Sequence, residues 1–369
     1  MIFQKKLKNY TVENMKKILV INTVDYILGG ISSVIINYYT SIDLSKFKID
    51  FVVNSKVDDN YKKIMLDGGA KLYYIERNHA PLKYFISIYK IVKKEQYDIV
   101  YVHGNSCTMA VDMLAARLGK CKKIIAHSHS ISCDHKIIHC LLRPIFEISC
   151  DKRIACSDAA GRWLFHKKKF EILPNAMEID KYKFDRKKRE NYRKKLNIAK
   201  GEMLIGHVGY FNVQKNQLFL IDVLKELINQ DVNCKMLLVG KGELKNEVEE
   251  YANSKGIKEK VIFFGVSNDI PGLMSAMDVF LFPSRSEGLG MVMIEAQING
   301  LPCVASLHVP AATKITDECY YCTLAKLNEW VLKVKNIDYI NRNRSINDND
   351  FISYDIKVQS KLLECFFEN

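Results

Sequence analysis

Short apolar runs rich in β-branched residues recur along almost the whole chain, and each is followed by a segment with helical periodicity. Continuous apolar strands that alternate with helices are the pattern of a parallel sheet covered on both faces. The runs are 17–22, 49–53, 71–75, 98–103, 123–129, 153–157 and 170–174 in the first half, and 203–209, 234–240, 261–265, 278–283 and 302–306 in the second. This alternation predicts an α/β chain of two Rossmann-like, doubly wound domains facing each other across a cleft.

A basic segment that is poor in apolar residues separates the two series of strands. The length of 369 residues also suits two domains. We therefore predict a division into an N-terminal extension (1–14), a first Rossmann-like domain (15–179), a basic linker (180–200), a second Rossmann-like domain (201–345) and a tail with a closing helix (346–369).

The composition is that of a globular protein able to bury large cores, with 48% hydrophobic and 26% charged residues. No apolar run approaches the length of a membrane span, and residues 1–17 lack the apolar core of a signal peptide. The eleven cysteines are scattered without the spacing of a disulfide framework. We therefore expect reduced thiols and a cytoplasmic protein.

A formal net charge of +13 suggests an anionic partner, either nucleic acid, a phospholipid surface or a phosphorylated substrate. The basic stretches 5–8, 166–169 and 180–200 lack the aromatic platforms that nucleic-acid binding favours, so no nucleic acid is expected. These stretches could instead contact the anionic inner face of the plasma membrane. An ordinary solvated surface is an equally good interpretation of them.

The strongest motif is SRSEGLGMVMIEAQINGLPCVAS at 284–306, where a strand ends in a glycine loop that enters a helix. Such a loop leaves backbone N–H groups free to hold phosphate oxygens. Glu287 stands in the loop and Glu295 stands eight positions later in the helix. Glu287 would lie near a bound sugar, and Glu295 could accept hydrogen bonds from ribose hydroxyls. The alternative is a helix whose acidic residues only offset its dipole.

On these residues the chain resembles the retaining sugar-nucleotide transferases of glycosyltransferase family 4, which have the two-domain GT-B fold. The family pattern Glu-x7-Glu, followed by Gly-x-Pro, is matched by Glu287, Glu295 and 300–302. The resemblance extends over nearly the whole chain. Its weaker matches are 17–22 with Gly29 and Gly30, then 153–157, 173–176 and 207–217.

The segment HVGYFNVQKNQ at 207–217 resembles the part of the family that binds the donor diphosphate. Family members place an arginine after Gly209 and a lysine a few positions later. Lys215 matches, with an ordinary exposed lysine as the alternative, whereas the arginine position holds Tyr210. A phenol offers one neutral donor where a guanidinium binds phosphate bidentately, so a weaker diphosphate contact is expected.

Two histidines close the apolar run 124–130. The resemblance places His129, with His127 as second choice, against the donor sugar, where imidazole could bond to hydroxyls or to charge developing at the anomeric carbon. The alternative is a pair of structural histidines.

A metal site is a competing interpretation of the same region. Zinc takes histidine and cysteine ligands, and the nearby candidates are Cys133, His135, His139 and Cys140 together with the two histidines above. Lys136 replaces the glutamate of a zinc-peptidase motif, and no paired Cys-x2-Cys set is near.

The resemblance implies a retaining, hexosyltransferase-like enzyme that needs no metal. It would move a sugar from a nucleoside-diphosphate sugar to a hydroxyl of a glycan or lipid-linked acceptor in surface polysaccharide biosynthesis. Glu287 and His129 are the expected catalytic residues. The expected donor-binding residues are Gly29, Gly30, Gly209, Lys215, Gly288, Leu289, Gly290 and Glu295. The alternatives are a sugar-nucleotide 2-epimerase of the same fold and a subunit that binds a nucleotide sugar without turnover.

Overall fold

The computed structural model describes residues 15–27, 30–77, 80–133, 135–338 and 346–369. The predicted extension 1–14 and Gly29 lie outside the described residues. The described chain forms two compact units, of which the first comprises residues up to 178 together with Ser353–Asn369, and the second comprises Ile179–Ile352.

Thirteen strands occur in the described ranges. They are β1 (Lys16–Asn22), β2 (Phe47–Val53), β3 (Leu72–Tyr74), β4 (Ile99–Gly104), β5 (Lys123–Ser128), β6 (Lys152–Ala155), β7 (Glu171–Ile172), β8 (Met203–Val208), β9 (Cys234–Val239), β10 (Val261–Gly265), β11 (Val279–Phe282), β12 (Cys303–Ser306) and β13 (Cys319–Cys322). Every predicted run overlaps a strand, and β13 is the strand that the sequence interpretation missed.

The helices alternate with these strands. They are α1 (Gly30–Tyr39), α2 (Asp59–Asp67), α3 (Pro81–Glu95), α4 (Ala110–Leu118), α5 (Lys136–Ser149), α6 (Asp158–Phe165), α7 (Ile179–Tyr182), α8 (Arg186–Lys195), α9 (Gln217–Asn229), α10 (Lys245–Ser254), α11 (Ile270–Ala276), α12 (Met291–Ile298), α13 (Leu327–Lys335) and α14 (Ile356–Glu368). Short 3-10 helices cover Cys107–Met109, Lys258–Lys260, Ala311–Thr313 and Asp348–Tyr354. None of the helices within the described ranges is long and apolar enough to cross a membrane.

Both sheets are parallel and doubly wound. The first has the strand order β3-β2-β1-β4-β5-β6-β7, and the second has the order β10-β9-β8-β11-β12-β13. The order reverses between β1 and β4 and between β8 and β11. Loops leaving the two strands at such a reversal diverge, and the space between them is where open α/β sheets bind ligands.

Both faces of each sheet are covered by helices, which explains the continuous apolar runs. In β1, Ile18 and Val20 enter one buried cluster while Leu19 and Ile21 enter another on the opposite face. In β8, Met203 and Leu204 divide between two clusters in the same way. Burial of each such side chain contributes about 1.5–3 kcal/mol.

The interpretation of 180–200 as a linker needs correction, because this segment forms α7 and α8 and belongs to the second unit. Arg189 and Arg193 of α8 bind the buried carboxylate of Asp278 at 2.5 and 2.8 Å. Asp278 also accepts a 2.7 Å hydrogen bond from the backbone N–H of Leu204 in β8. The basic charge that suggested a solvated connector therefore partly neutralises a buried acid.

The tail also differs from the predicted division, because its final helix returns to the first unit. Phe366 and Phe367 of α14 enter the core cluster that contains Ile18 of β1. The rings of Phe367 and Phe47 meet edge to face at 5.5 Å. Lys123 donates a 2.6 Å hydrogen bond to the carbonyl of Phe366 near the end of α14.

Candidate functional site

In the second unit, the loops after β8 and β11 lie at the reversal of strand order. They carry Gly209–Lys215 and the glycine loop 284–290 respectively. The two segments that the sequence marked for donor binding therefore leave neighbouring strands at the same sheet edge.

An ion pair joins the two loops. The ammonium of Lys215 lies 2.6 Å from Oε1 of Glu287, and the side chains are only 18% and 8% exposed. Lys215 Nζ also lies 4.7 Å from the ring centroid of Phe282, the last residue of β11. Water screens this pair much less than a surface pair. The structure thus brings together two residues that the sequence identified separately.

Hydrogen bonds tie the same loops along their length. Gln214 donates through Nε2 to the carbonyl of Ser286 at 2.6 Å, and the N–H of Arg285 returns a 2.8 Å bond to the carbonyl of Gln214. The amide of Asn216 donates to the carbonyl of Pro283 at 3.3 Å and accepts from Arg285 Nη2 at 3.3 Å. Sequence reasoning missed these connecting residues, whose only signal was their position beside Lys215 and Glu287.

Two glycines are required by close packing at this edge. A Cβ on Gly209 would lie 3.0 Å from Nε2 of His207 and 3.4 Å from Cγ of Lys215. Gly290 has φ +80° and precedes α12, whose N-terminus has no side-chain cap. Gly288 and Leu289 complete the loop between Glu287 and this helix. Backbone N–H groups at an uncapped helix start suit an anionic ligand.

Glu295 lies within α12 and is partly buried. Burial raises the pKa of its carboxyl to about 7, although a hydrogen bond from the Tyr182 side chain acts in the opposite direction. At neutral pH both its protonated and ionised forms are therefore populated.

Tyr210, which occupies the family's arginine position, is 48% exposed. The neighbouring charge of Glu243 and a hydrogen bond to it raise the pKa of the phenol. The backbone carbonyl of Tyr210 accepts a 3.0 Å bond from Nε2 of Gln217 at the start of α9. The backbone of Tyr210 is thus held by Gln217, and its phenol interacts with the Glu243 carboxylate.

In the first unit, His127 and His129 occupy different environments. His127 is buried in β5, and its Nδ1 lies 2.6 Å from the Tyr101 hydroxyl. Burial lowers the pKa of His127 well below its usual range and the pKa of the partly buried His129 to about 4. A ring that is buried this deeply in a strand fits the structural alternative for His127 better than a sugar contact.

Sequence reasoning missed His103, the histidine that the fold adds to this pair. His103 lies in β4, next to β5, and its Nδ1 is 2.9 Å from Nε2 of His129. His103, His127 and His129 each offer a ring nitrogen, and these nitrogens lie within 4.8 Å of one another. We call these three residues the histidine cluster.

The sequence suggested a metal site from the histidines and cysteines around α5. Among the described residues, only the histidine cluster brings such side chains close enough together. His139 is instead buried against the loop after β4, where its Nδ1 accepts a 3.2 Å hydrogen bond from the N–H of Cys107.

Gly30, which the sequence marked for donor binding, begins α1 with φ +57° and has open space where a Cβ would point.

Comparisons with known proteins assign the chain to a class of enzymes. The model of glycosyltransferase family 4 matches residues 29–181, and the model of group 1 glycosyl transferases matches residues 188–348. An Escherichia coli UDP-Gal:α-D-GlcNAc-diphosphoundecaprenol α-1,3-galactosyltransferase is 27% identical over 76% of this chain and 76% of its own length. The capsular polysaccharide biosynthesis glycosyltransferase CapH of Staphylococcus aureus is 24% identical over 80% and 83%.

The fold also has relatives among solved structures. The crystal structure of HepE from Anabaena in complex with UDP and glucose superimposes with a TM-score of 0.78 at 18% identity, over 96% of this chain and 99% of that one. The two parallel sheets, the paired family matches and these relatives agree. The chain is a glycosyltransferase similar to family 4, with the two Rossmann-like domains of the GT-B fold, and its relatives place it in polysaccharide biosynthesis.

Proposed function

We propose that the protein transfers a sugar from a nucleoside-diphosphate sugar to a hydroxyl of a glycan or lipid-linked acceptor, with retention of the anomeric configuration. The observation that carries this proposal is the site formed by the Lys215–Glu287 pair and the uncapped start of α12. A lysine and a helix N-terminus at one sheet edge form a receptor for a diphosphate. The donors and ligands in the names of the E. coli relative and HepE are consistent with it.

In this proposal, some residues of the site neutralise charge on the donor and others hold the donor in position. Lys215 and the amides of 288–290 would neutralise the leaving diphosphate, which supplies the electrostatic stabilisation that transfer needs. Glu287 would hold Lys215 and lie near the donor sugar, while Glu295 would accept hydrogen bonds from ribose. Arg285, whose guanidinium has no carboxylate partner in the described ranges, adds positive charge beside Lys215 where Tyr210 provides none.

Donor binding is tested directly by calorimetric titration of the purified protein with UDP, GDP and ADP and their sugars. We expect one nucleotide series to bind with similar affinity in EDTA and in Mg²⁺, because the protein supplies the positive charge at the diphosphate. Lys215→Met should weaken binding, whereas Lys181→Met, an exposed lysine in the same unit, should not. Absence of binding by every nucleotide, or a strict need for Mg²⁺, would contradict this assignment.

The stereochemistry is tested with the donor sugar found by titration. Proton NMR of the product should show the same anomeric configuration as in the donor. Inversion would reject the retaining mechanism, and isomerisation of the nucleotide sugar without acceptor would favour an epimerase instead.

We further propose that a face of α5 brings the first unit to an anionic membrane surface carrying the acceptor. Ile137, Leu141 and Ile148 are 78%, 72% and 77% exposed, and their spacing places them on one helical face. Exposed basic residues at 166–169 lie in the same unit. Apolar insertion together with positive charge favours anionic lipid.

Vesicle flotation can distinguish binding through this face of α5 from nonspecific adsorption to lipid. The protein should float with phosphatidylglycerol-rich vesicles and stay behind with pure phosphatidylcholine. Leu141→Gln should reduce flotation severalfold, whereas Leu82→Gln, at an equally exposed leucine of α3, should not. Equal loss in both variants would count against α5 as the contact.

A further inference from the structure

The three imidazoles of the histidine cluster come from the carboxyl ends of adjacent strands. His103 lies in β4 and His127 in β5, in register with each other, and His129 follows β5 by one residue. His103 and His127 are buried, while His129 is partly exposed. The sheet therefore fixes the backbone of two of the residues, and the third residue is partly accessible to solvent.

The separations of the ring nitrogens suit a metal ion. Three nitrogens at 2.0–2.1 Å from a tetrahedral zinc ion would lie about 3.3–3.4 Å from one another. Nδ1 of His103 and Nε2 of His129 are joined by a 2.9 Å hydrogen bond that a metal ion would replace, and one ring nitrogen from each of the three histidines lies within 4.8 Å of the others.

A residue beside the cluster provides the outer hydrogen bond that a metal-bound histidine usually makes. The Tyr101 hydroxyl, 2.6 Å from Nδ1 of His127, engages one ring nitrogen and leaves the other. Such an outer hydrogen bond fixes ring orientation in histidine–metal sites. Nε2 of His127, the other nitrogen of that ring, is buried and has no hydrogen-bond partner among the described residues, so it is available to a metal ion.

We propose that His103, His127 and His129 form a binding site for one divalent transition-metal ion of the Zn²⁺ class. Three imidazoles select such a borderline ion over Mg²⁺ or Ca²⁺, which take oxygen ligands. A tetrahedral ion held by three imidazoles would keep a fourth position for water or an anionic ligand. The site lies in the first unit and does not depend on the donor or reaction proposed for the second.

The test is calorimetric titration of Zn²⁺ into full-length protein freed of any histidine tag, with Co²⁺ as a spectroscopic probe. We expect one equivalent to bind, and Co²⁺ to show visible bands without a thiolate charge-transfer band. His103→Asn and His129→Asn should each weaken Zn²⁺ binding at least about tenfold. His166→Asn, at an exposed histidine outside the cluster, should leave it unchanged.

Two further controls decide between this site and adventitious binding. Cys140→Ser with Cys365→Ser removes the exposed thiols and should not change Zn²⁺ affinity. Circular dichroism without metal establishes that each variant is folded, and because His129 is partly exposed its variant should fold even if His103→Asn does not. The proposal is overturned by no stoichiometric binding, by undiminished binding in folded His129→Asn, or by loss of binding in the cysteine variant.

Discussion

At the scale of single residues, ionisation of the Glu295 carboxyl is expected to lower the stability of the protein and to strengthen ligand binding. Its folded-state pKa of about 7 lies above the value of 4.5 expected for an unfolded chain. The folded protein therefore holds a proton that the unfolded chain releases, and stability falls as pH rises from about 4.5 through about 7. The carboxylate that costs stability is nevertheless the form with most acceptor capacity for ribose hydroxyls.

Glu295→Gln should consequently stabilise the protein at alkaline pH. The glutamine is neutral at every pH, so the free energy of unfolding at pH 8 should rise by up to about 3 kcal/mol. At pH 4.5 the gain should largely disappear. Urea denaturation at the two pH values measures both, and an equal change at both would mean that the carboxyl does not titrate as described.

The same residue should control the pH dependence of nucleotide affinity. In the wild type, affinity for UDP or the preferred nucleotide should increase as pH rises through about 7, because the carboxylate then predominates. Glu295→Gln should bind more weakly at pH 8, by about 1.5–3 kcal/mol, and should lose this component. Ionisation of the nucleotide phosphate is common to both proteins, so the difference between their profiles isolates Glu295.

Tyr210→Arg should strengthen nucleotide binding only when the neighbouring acid is neutralised. An arginine at 210 could form a charge-assisted phosphate bond worth about 1.5–3 kcal/mol, but Glu243 already engages the residue at this position. We expect a small gain in the single variant and a larger, salt-sensitive gain in Tyr210→Arg with Glu243→Gln. Unchanged affinity in both would show that position 210 does not face the diphosphate.

At the scale of elements, the loops after β8 and β11 behave as one structure because charge and hydrogen bonds join them. Lys215→Met leaves the Glu287 carboxylate without its cation in a site that is only 8% exposed. Each of Lys215→Met and Glu287→Gln should destabilise the protein, and the double variant should lose less than their sum. A coupling energy of about 1–3 kcal/mol in the thermal double-mutant cycle is expected. Additive losses would mean that the pair is not formed.

Strands were the most predictable elements, because a β-branched run buried on both faces leaves a clear pattern. β13 was missed because its four residues, two tyrosines between the buried Cys319 and Cys322, form no β-branched apolar run. α8 was missed as a packed element because arginines that neutralise Asp278 look like solvated charge. His103 was missed because adjacency of β4 and β5 is a property of the fold, not of local sequence.

At the scale of the whole molecule, the last helix belongs to the first unit. Phe367 is almost fully buried among residues of β1 and β2, so Phe367→Ala should destabilise the first unit by about 3–5 kcal/mol. Leu362→Ala, at a more exposed position of α14, should cost much less. Nucleotide binding by the second unit should survive below the melting temperature, which ligand-dependent thermal shifts can follow. Equal costs in the two variants would contradict the packing of α14.

The return of α14 also bears on how the protein is made. During synthesis, residues up to 178 leave the ribosome long before Ile356–Glu368, which completes their hydrophobic core. At about 5–20 residues per second, the intervening stretch takes on the order of 10–35 seconds to translate. Throughout that interval the surface around β1 and β2 that later covers Phe366 and Phe367 is open to solvent. The nascent chain thus offers an early binding surface to ribosome-associated chaperones, and premature termination within the second unit would leave it permanently uncovered.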